Sequence, residues 1–252
     1  MKRFLLSLAV AGAASMPLAA SAFVLGPTTP GKWGPAAFGT GATITYSFMS
    51  SGVSCSAETA GCTISALGSF GPTFAVWKSE IEAAFDAWSA VADILFVEVP
   101  DLGEAFNAAV QLSGDMRFGG HSFDGPSGTL AHGFFPPANG ASAAGDMHYD
   151  TGDCWEAGFD GTGDGCFSIF QVSAHEIGHA IGLEHTGVPG SLMNPFYTEA
   201  FSGPQADDIA GAAFIYGPAA SAPPPGVPEP MSLALVGMAL GAVGLARRRR
   251  LR

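Results

Sequence analysis

The stretch His175-Glu176-Ile177-Gly178-His179-Ala180-Ile181-Gly182-Leu183-Glu184-His185 decides the reading of this chain. On a helix, His175 and His179 lie one turn apart on the same face, so both imidazoles can reach one metal ion. Glu176 points towards the same cleft, where it can take a proton from a metal-activated water. Gly182 is a place for the helix to stop and the chain to turn, bringing His185 round as a third ligand. Three neutral imidazoles leave a tetrahedral ion one open position for water, the arrangement of a catalytic rather than a structural zinc. HExxH by itself is short enough to arise by chance; the extended HExxHxxGxxH is far more specific.

Outward from this helix, expected over Ser168 to Leu183, the pattern is mixed. Ala42–Met49 alternates and reads as a strand. Phe74, Trp77, Ile81, Ala84/Phe85, Trp88 and Val91 recur at helical spacing, so Phe74 to Val91 reads as an amphipathic helix with an aromatic core face. Ile94–Val99 is a second strand, and Ala109–Phe118 a third with an irregularity at Ser113-Gly114. Gly119 to Gly165 is rich in Gly and Asp, with short strand-like runs near Leu130–Phe135 and Met147–Tyr149. A last helix is expected from Pro204 to Ile215, before Gly217-Pro218.

The extended histidine motif resembles that of the metzincins, and the residues downstream of His185 resemble the matrixin branch. Ser191-Leu192-Met193-Asn194-Pro195 resembles the Met-turn, which implies Met193 as an apolar floor beneath the zinc. The resemblance implies that Pro195, Phe196 and Tyr197 form the outer wall of the S1′ substrate pocket. It runs from Lys32-Trp33 through AFDAWSAV, FDGPSGTLAHGFFPP (123–137) and GDMHYD (145–150) to the closing DDIAG…IYG helix near Gly217. The implied fold is α+β, a zincin-like catalytic domain over 23–218. It comprises a twisted mixed sheet with a packed helix, an active-site helix, and a small C-terminal subdomain from His185 onward.

The resemblance also implies further ions. His132 and His148 match structural-zinc ligands, but the HGD segment that supplies the remaining ligands in matrixins is missing. His121 is the candidate left in that stretch. Asp124, backbone oxygens of Gly125, Ser127 and Thr129, and the carboxylates of Asp150 and Asp153 match a calcium site; such a mix of oxygens suits that cation. Asp115 and Asp146 match a second calcium site. The cysteine of the PRCGxPD latency segment has no counterpart between Phe23 and Gly41, so no cysteine switch is expected.

Charge agrees with bound cations. The chain of 252 residues has a formal net charge of −12, yet only Lys32, Lys78 and Arg117 face all 22 acids between residues 23 and 230. Such a surface repels phosphate backbones, which excludes nucleic acid as a partner. Zinc and calcium would offset part of this charge and couple the order of the loops to ion binding.

The ends read as addresses. Lys2 and Arg3, an apolar run and Ala20-Ser21-Ala22 form a signal peptide over residues 1–22. A Pro-rich linker over 219–230 ends in Val227-Pro228-Glu229-Pro230, before an apolar helix and an arginine cluster over 231–252. This tail resembles the PEP-CTERM sorting signal of Gram-negative bacteria. It implies an exosortase-type partner, export, and transient or tail-anchored membrane association. In an exported chain, Cys55, Cys62, Cys154 and Cys166 fit two disulfides, of which 55–62 and 154–166 is the simplest of three connectivities.

The expected function is an exported zinc endopeptidase on polypeptide, with Glu176 as general base. Two alternatives are a non-catalytic matrix or adhesion component that keeps the metal-bound fold, and a zinc amidase acting on cell-wall material.

Overall fold

The computed structural model describes residues 23–137, 143–158 and 165–219. The expected signal peptide, most of the Pro-rich linker and the sorting tail lie outside these residues. Among the described residues no helix is long and apolar enough to cross a membrane. Short β1 (Val24–Leu25) precedes β2 (Ala42–Phe48), α1 (Phe74–Ser89), β3 (Ile94–Glu98), β4 (Met116–His121), β5 (Ala131–Gly133) and β6 (Met147–Asp150). Then come β7 (Cys154–Glu156), β8 (Cys166–Ser168), α2 (Ile169–Ala180), β9 (Leu183–Glu184) and α3 (Ala206–Tyr216).

The main sheet has the order β3-β2-β4-β6-β5, parallel throughout except for antiparallel β5 at one edge. Of the expected α1 stripe, Trp77, Ile81, Ala84, Phe85 and Trp88 are buried, whereas Phe74 is exposed and half-buried Val91 lies past the helix end. Burial of a large apolar side chain stabilises by about 1.5–3 kcal/mol. Trp88 also donates its indole N–H to the Ala174 carbonyl at 2.9 Å, and the Tyr149 and Ser173 hydroxyls meet at 2.8 Å. α2 is thereby fixed to both α1 and β6. The Trp33 indole donates to the Ala180 carbonyl at 2.7 Å, which fastens the N-terminal segment to the end of α2. This α+β architecture is the one expected.

The third strand and the end of α2 differ from the sequence reading, and the short strands β1, β7, β8 and β9 were not expected. The third strand is Met116–His121, not Ala109–Phe118. The Glu104 carboxylate accepts the Leu112 and Ser113 amides at 2.9 and 2.8 Å, so those groups are withdrawn from the ladder. α2 ends at Ala180 rather than Leu183, because Gly182 turns at φ +108 and β9 then pairs with β1. The pairs Cys55–Cys62 and Cys154–Cys166 are both joined.

Candidate metal centres and active-site cleft

Ser168 starts α2 by accepting the Gln171 amide on its hydroxyl, which fixes the helix that carries His175, Glu176 and His179. At its other end Gly182 is required twice. Its positive φ disfavours any L side chain, and a Cβ would run into the Gly31 carbonyl. The turn it makes brings His185 back, with its Nε2 3.1 Å from the Nε2 atoms of both His175 and His179. The Nδ1 atoms of His175 and His179 donate to the carbonyls of Leu192 (2.7 Å) and Leu183 (2.8 Å). Those bonds fix the tautomer and turn the Nε2 lone pairs inward. Burial lowers the pKa of His175 to about 3 and of His179 to about 4, so both rings are neutral. Acceptor nitrogens converging at this range fit a divalent cation, and three imidazoles fit zinc.

Glu176 is buried beside them. Burial raises its carboxyl to about 8 against the opposing hydrogen bond from the Gly133 amide. Met193, buried, packs so closely on Gly178 of α2 that a Cβ there would strike its sulfur. A cleft of about 430 Å3 opens beside the triad, lined by Val172, His175, Glu176 and His185 with Pro195, Phe196 and Tyr197 opposite. The Tyr197 hydroxyl accepts the Ser168 amide at 2.9 Å and donates to Glu199 at 2.7 Å, whereas Phe196 is 80% exposed at the rim. Leu130 and Ala131, at the β5 edge of the sheet, form another side of the cleft.

The family model for Matrixin matches residues 72–217, more than half of the chain and the whole of this site. The chain belongs to the matrixin family. It is similar to human matrix metalloproteinase-16, with 39% identity over 166 residues, 61% of this chain and 26% of that protein. Bovine interstitial collagenase is 40% identical over 152 residues (59% of this chain, 30% of the relative), and human matrix metalloproteinase-20 is 38% identical over 142 (55% and 27%). The chain thus spans less than a third of the length of these relatives.

A second cluster of this matrixin lies at the end of β4. His121, His132 and His148 come together there as expected, with Glu58 as a fourth member that the sequence reading missed. Glu58 Oε1 is 2.9 Å from His121 Nε2 and 3.0 Å from His132 Nε2, and Oε2 is 2.7 Å from His148 Nδ1. Burial opposes ionisation of Glu58, but its bonds to the three histidines hold it far below the usual carboxylate range. Burial lowers His148 to about 4. The one signal in the sequence was an acid inside a short loop between two cysteines.

The loop 123–129 wraps around the three acids expected to hold calcium. Asp150 accepts the Phe123 and Gly125 amides, Asp153 the Ser127 amide, and Asp124 the Thr129 amide, at 2.6–3.2 Å. Burial, then the charges of Asp150 and Asp124, raise the pKa of Asp153, and its Oδ2 is buried without a hydrogen-bond partner. Mutually repelling carboxylates with an orphaned oxygen fit a hard cation such as calcium.

The two acids of the second calcium expectation have different partners. The Asp115 carboxylate is taken up by the Thr45 amide and hydroxyl at 2.8 and 2.7 Å. Asp146 instead faces the Arg117 guanidinium, Nη1 to Oδ2 being 3.9 Å. Arg117 is fully buried and also bonds Asp101 at 2.8 Å. Burial raises the Asp146 carboxyl well above the usual carboxylate range, and both of its oxygens are buried without a hydrogen-bond partner despite the guanidinium nearby.

Proposed function

We propose that this matrixin is an exported, zinc-dependent endopeptidase acting on polypeptide. The observation that carries the reading is the convergence of His175, His179 and His185 on one point, with buried Glu176 beside them in an open cleft. When bound there, zinc supplies Lewis-acid polarisation of the scissile carbonyl and lowers the pKa of water. Glu176 takes the proton of the attacking water and later delivers it to the leaving amine. The Gly133 amide holds its carboxylate in place, and the bonds of His175 and His179 to backbone carbonyls keep the imidazoles pre-oriented. Met193, packed on Gly178 of α2, supports the floor of the site.

An extended peptide suits the cleft. The exposed side of β5 is a sheet edge beside it, able to take one more strand by main-chain hydrogen bonds. The Pro195–Tyr197 wall bounds a pocket for one substrate side chain. The names of the relatives, matrix metalloproteinases and a collagenase, support protein as the substrate class.

A second zinc at His121, His132 and His148 and one calcium at Asp124, Asp150 and Asp153, with backbone oxygens of Gly125, Ser127 and Thr129, complete the reading. The signal peptide, VPEP motif, apolar helix and arginine cluster support export from a Gram-negative cell, with an exosortase-type enzyme acting on the tail. The test is cleavage of casein or gelatin by the purified chain, with and without a chelator. Chelator-sensitive digestion supports the reading; a zinc-loaded chain that cuts no polypeptide overturns it. The mass of the mature chain tests the terminal processing.

A further inference from the structure

We propose that the loop closed by the Cys55–Cys62 disulfide is the fourth arm of the second metal site, with Glu58 a zinc ligand alongside His121, His132 and His148. The proposal rests on the reading of those three histidines as a zinc site, and adds the residue and the covalent device that close it.

The loop is built to present one carboxylate. At its base Cys55 and Cys62 are joined by the disulfide and by the Cys55 amide's bond to the Cys62 carbonyl at 3.1 Å. Within it the amides of Glu58 and Thr59 both donate to the Cys55 carbonyl, at 2.9 and 3.2 Å, and that of Cys62 to the Thr59 carbonyl at 2.9 Å. A single tight turn therefore carries Glu58. Cys55 is fully buried in a satellite core with Met49, Val53, Ile64 and Phe106. Just beyond the loop, Ser65 and Gly120 exchange backbone hydrogen bonds at 2.6 and 3.0 Å. That bridge fastens the loop to β4 one residue before His121, which is why Glu58 reaches the histidines.

The geometry favours a cation. Glu58, His121, His132 and His148 each offer one donor atom, and all four atoms lie within 4.8 Å of one another. His132 Nε2 and His148 Nδ1 approach to 3.3 Å, and His121 Nε2 lies 2.9 Å from Glu58 Oε1, so one ion can sit among all four. Three neutral imidazoles and one carboxylate make a closed tetrahedral set, with no position left for substrate, as in a structural zinc. The phenyl rings of Phe106, Phe123 and Phe134 pack on the imidazoles.

The test is zinc stoichiometry and chelator competition on the full chain, for wild type, E58Q, C55S/C62S and H148A. Wild type should hold two zincs. E58Q and H148A should keep one tightly and bind the second about 100-fold more weakly, and C55S/C62S about 10-fold more weakly, in the range for lost ligands and their supports. The retained zinc at His175, His179 and His185 reports that each variant is folded. Two zincs in wild type with unchanged affinity in E58Q would overturn Glu58 as a ligand and leave the histidine site standing. A single zinc in wild type, unaltered by H148A, would overturn the histidine site and the proposal with it. Should E58Q fail to fold, carbodiimide labelling of wild type decides. Glu58 protected with zinc and labelled after chelation supports the proposal; equal labelling overturns it.

Discussion

Asp208 and Met193 are tied together across the C-terminal subdomain: the Asp208 carboxylate accepts the Met193 amide at 3.1 Å and the Leu192 amide at 2.7 Å. The same buried carboxylate receives the Ser191 hydroxyl and, as part of a capping box, the Gln205 amide at 2.8 Å. One side chain thus starts α3 and shapes the turn beneath the zinc site. Asp208→Ala strands several buried donors and should cost about 3 kcal/mol or more. Urea unfolding of the zinc-loaded protein measures the cost, and weaker zinc retention should accompany it, because Leu192 holds His175.

Glu176→Gln keeps the shape of the side chain but cannot accept the proton. Zinc content should stay as in wild type while peptide hydrolysis falls by about 10²–10⁴-fold. Cleavage at the wild-type rate would remove Glu176 from the mechanism.

Gly182→Ala should damage the third ligand rather than the helix. The position has φ +108 and no room beside the Gly31 carbonyl, so a methyl group displaces the turn that returns His185. A loss of about 1–3 kcal/mol is expected, with looser zinc binding at the triad. Thermal unfolding with and without zinc separates the two effects.

Glu104 sets an acid-sensitive element outside the histidine clusters. Burial works to raise its carboxyl, but the Ser113 hydroxyl and the Leu112 and Ser113 amides overcome this and bring it to about 2. A folded-state pKa below the unfolded value near 4.5 means stabilisation present above pH 4.5 and lost as pH falls towards 2. Glu104→Gln should be the less stable chain at pH 7, by about 1–2 kcal/mol. Parallel unfolding curves at falling pH should show the gap to wild type narrowing from pH 4.5 towards pH 2.

Calcium removal should loosen 123–129 before anything else. That loop is organised on Asp124, Asp150 and Asp153, whose charges oppose one another without an ion. Calcium at about 100 times its Kd would stabilise the fold by about 2.7 kcal/mol. Limited proteolysis in a calcium-selective chelator should cut first within this loop, and Asp153→Ala should reproduce that pattern with calcium present.

The sequence carried the local decisions. Helical spacing announced α1 and the shared face of His175 and His179, because both depend on a period of 3.6 residues that neighbours alone enforce. Gly182 announced the turn, because a positive φ leaves a mark in residue type. The third strand was misplaced, since a distant carboxylate, Glu104, competes for the amides of Leu112 and Ser113.

By itself the sequence set out His175, Glu176, His179 and His185, which lie within one helix and the turn after it, and the family resemblance, which runs along most of the chain. Only the tertiary structure decided which charged groups meet elsewhere. Glu58 joins histidines 63, 74 and 90 positions away because a disulfide loop is bridged onto β4. Asp146 meets a guanidinium because Arg117 points inward from that same strand. Charges can be counted from composition, but partners separated by many residues are chosen by packing. No local pattern records which acid will face a histidine cluster and which will face an arginine.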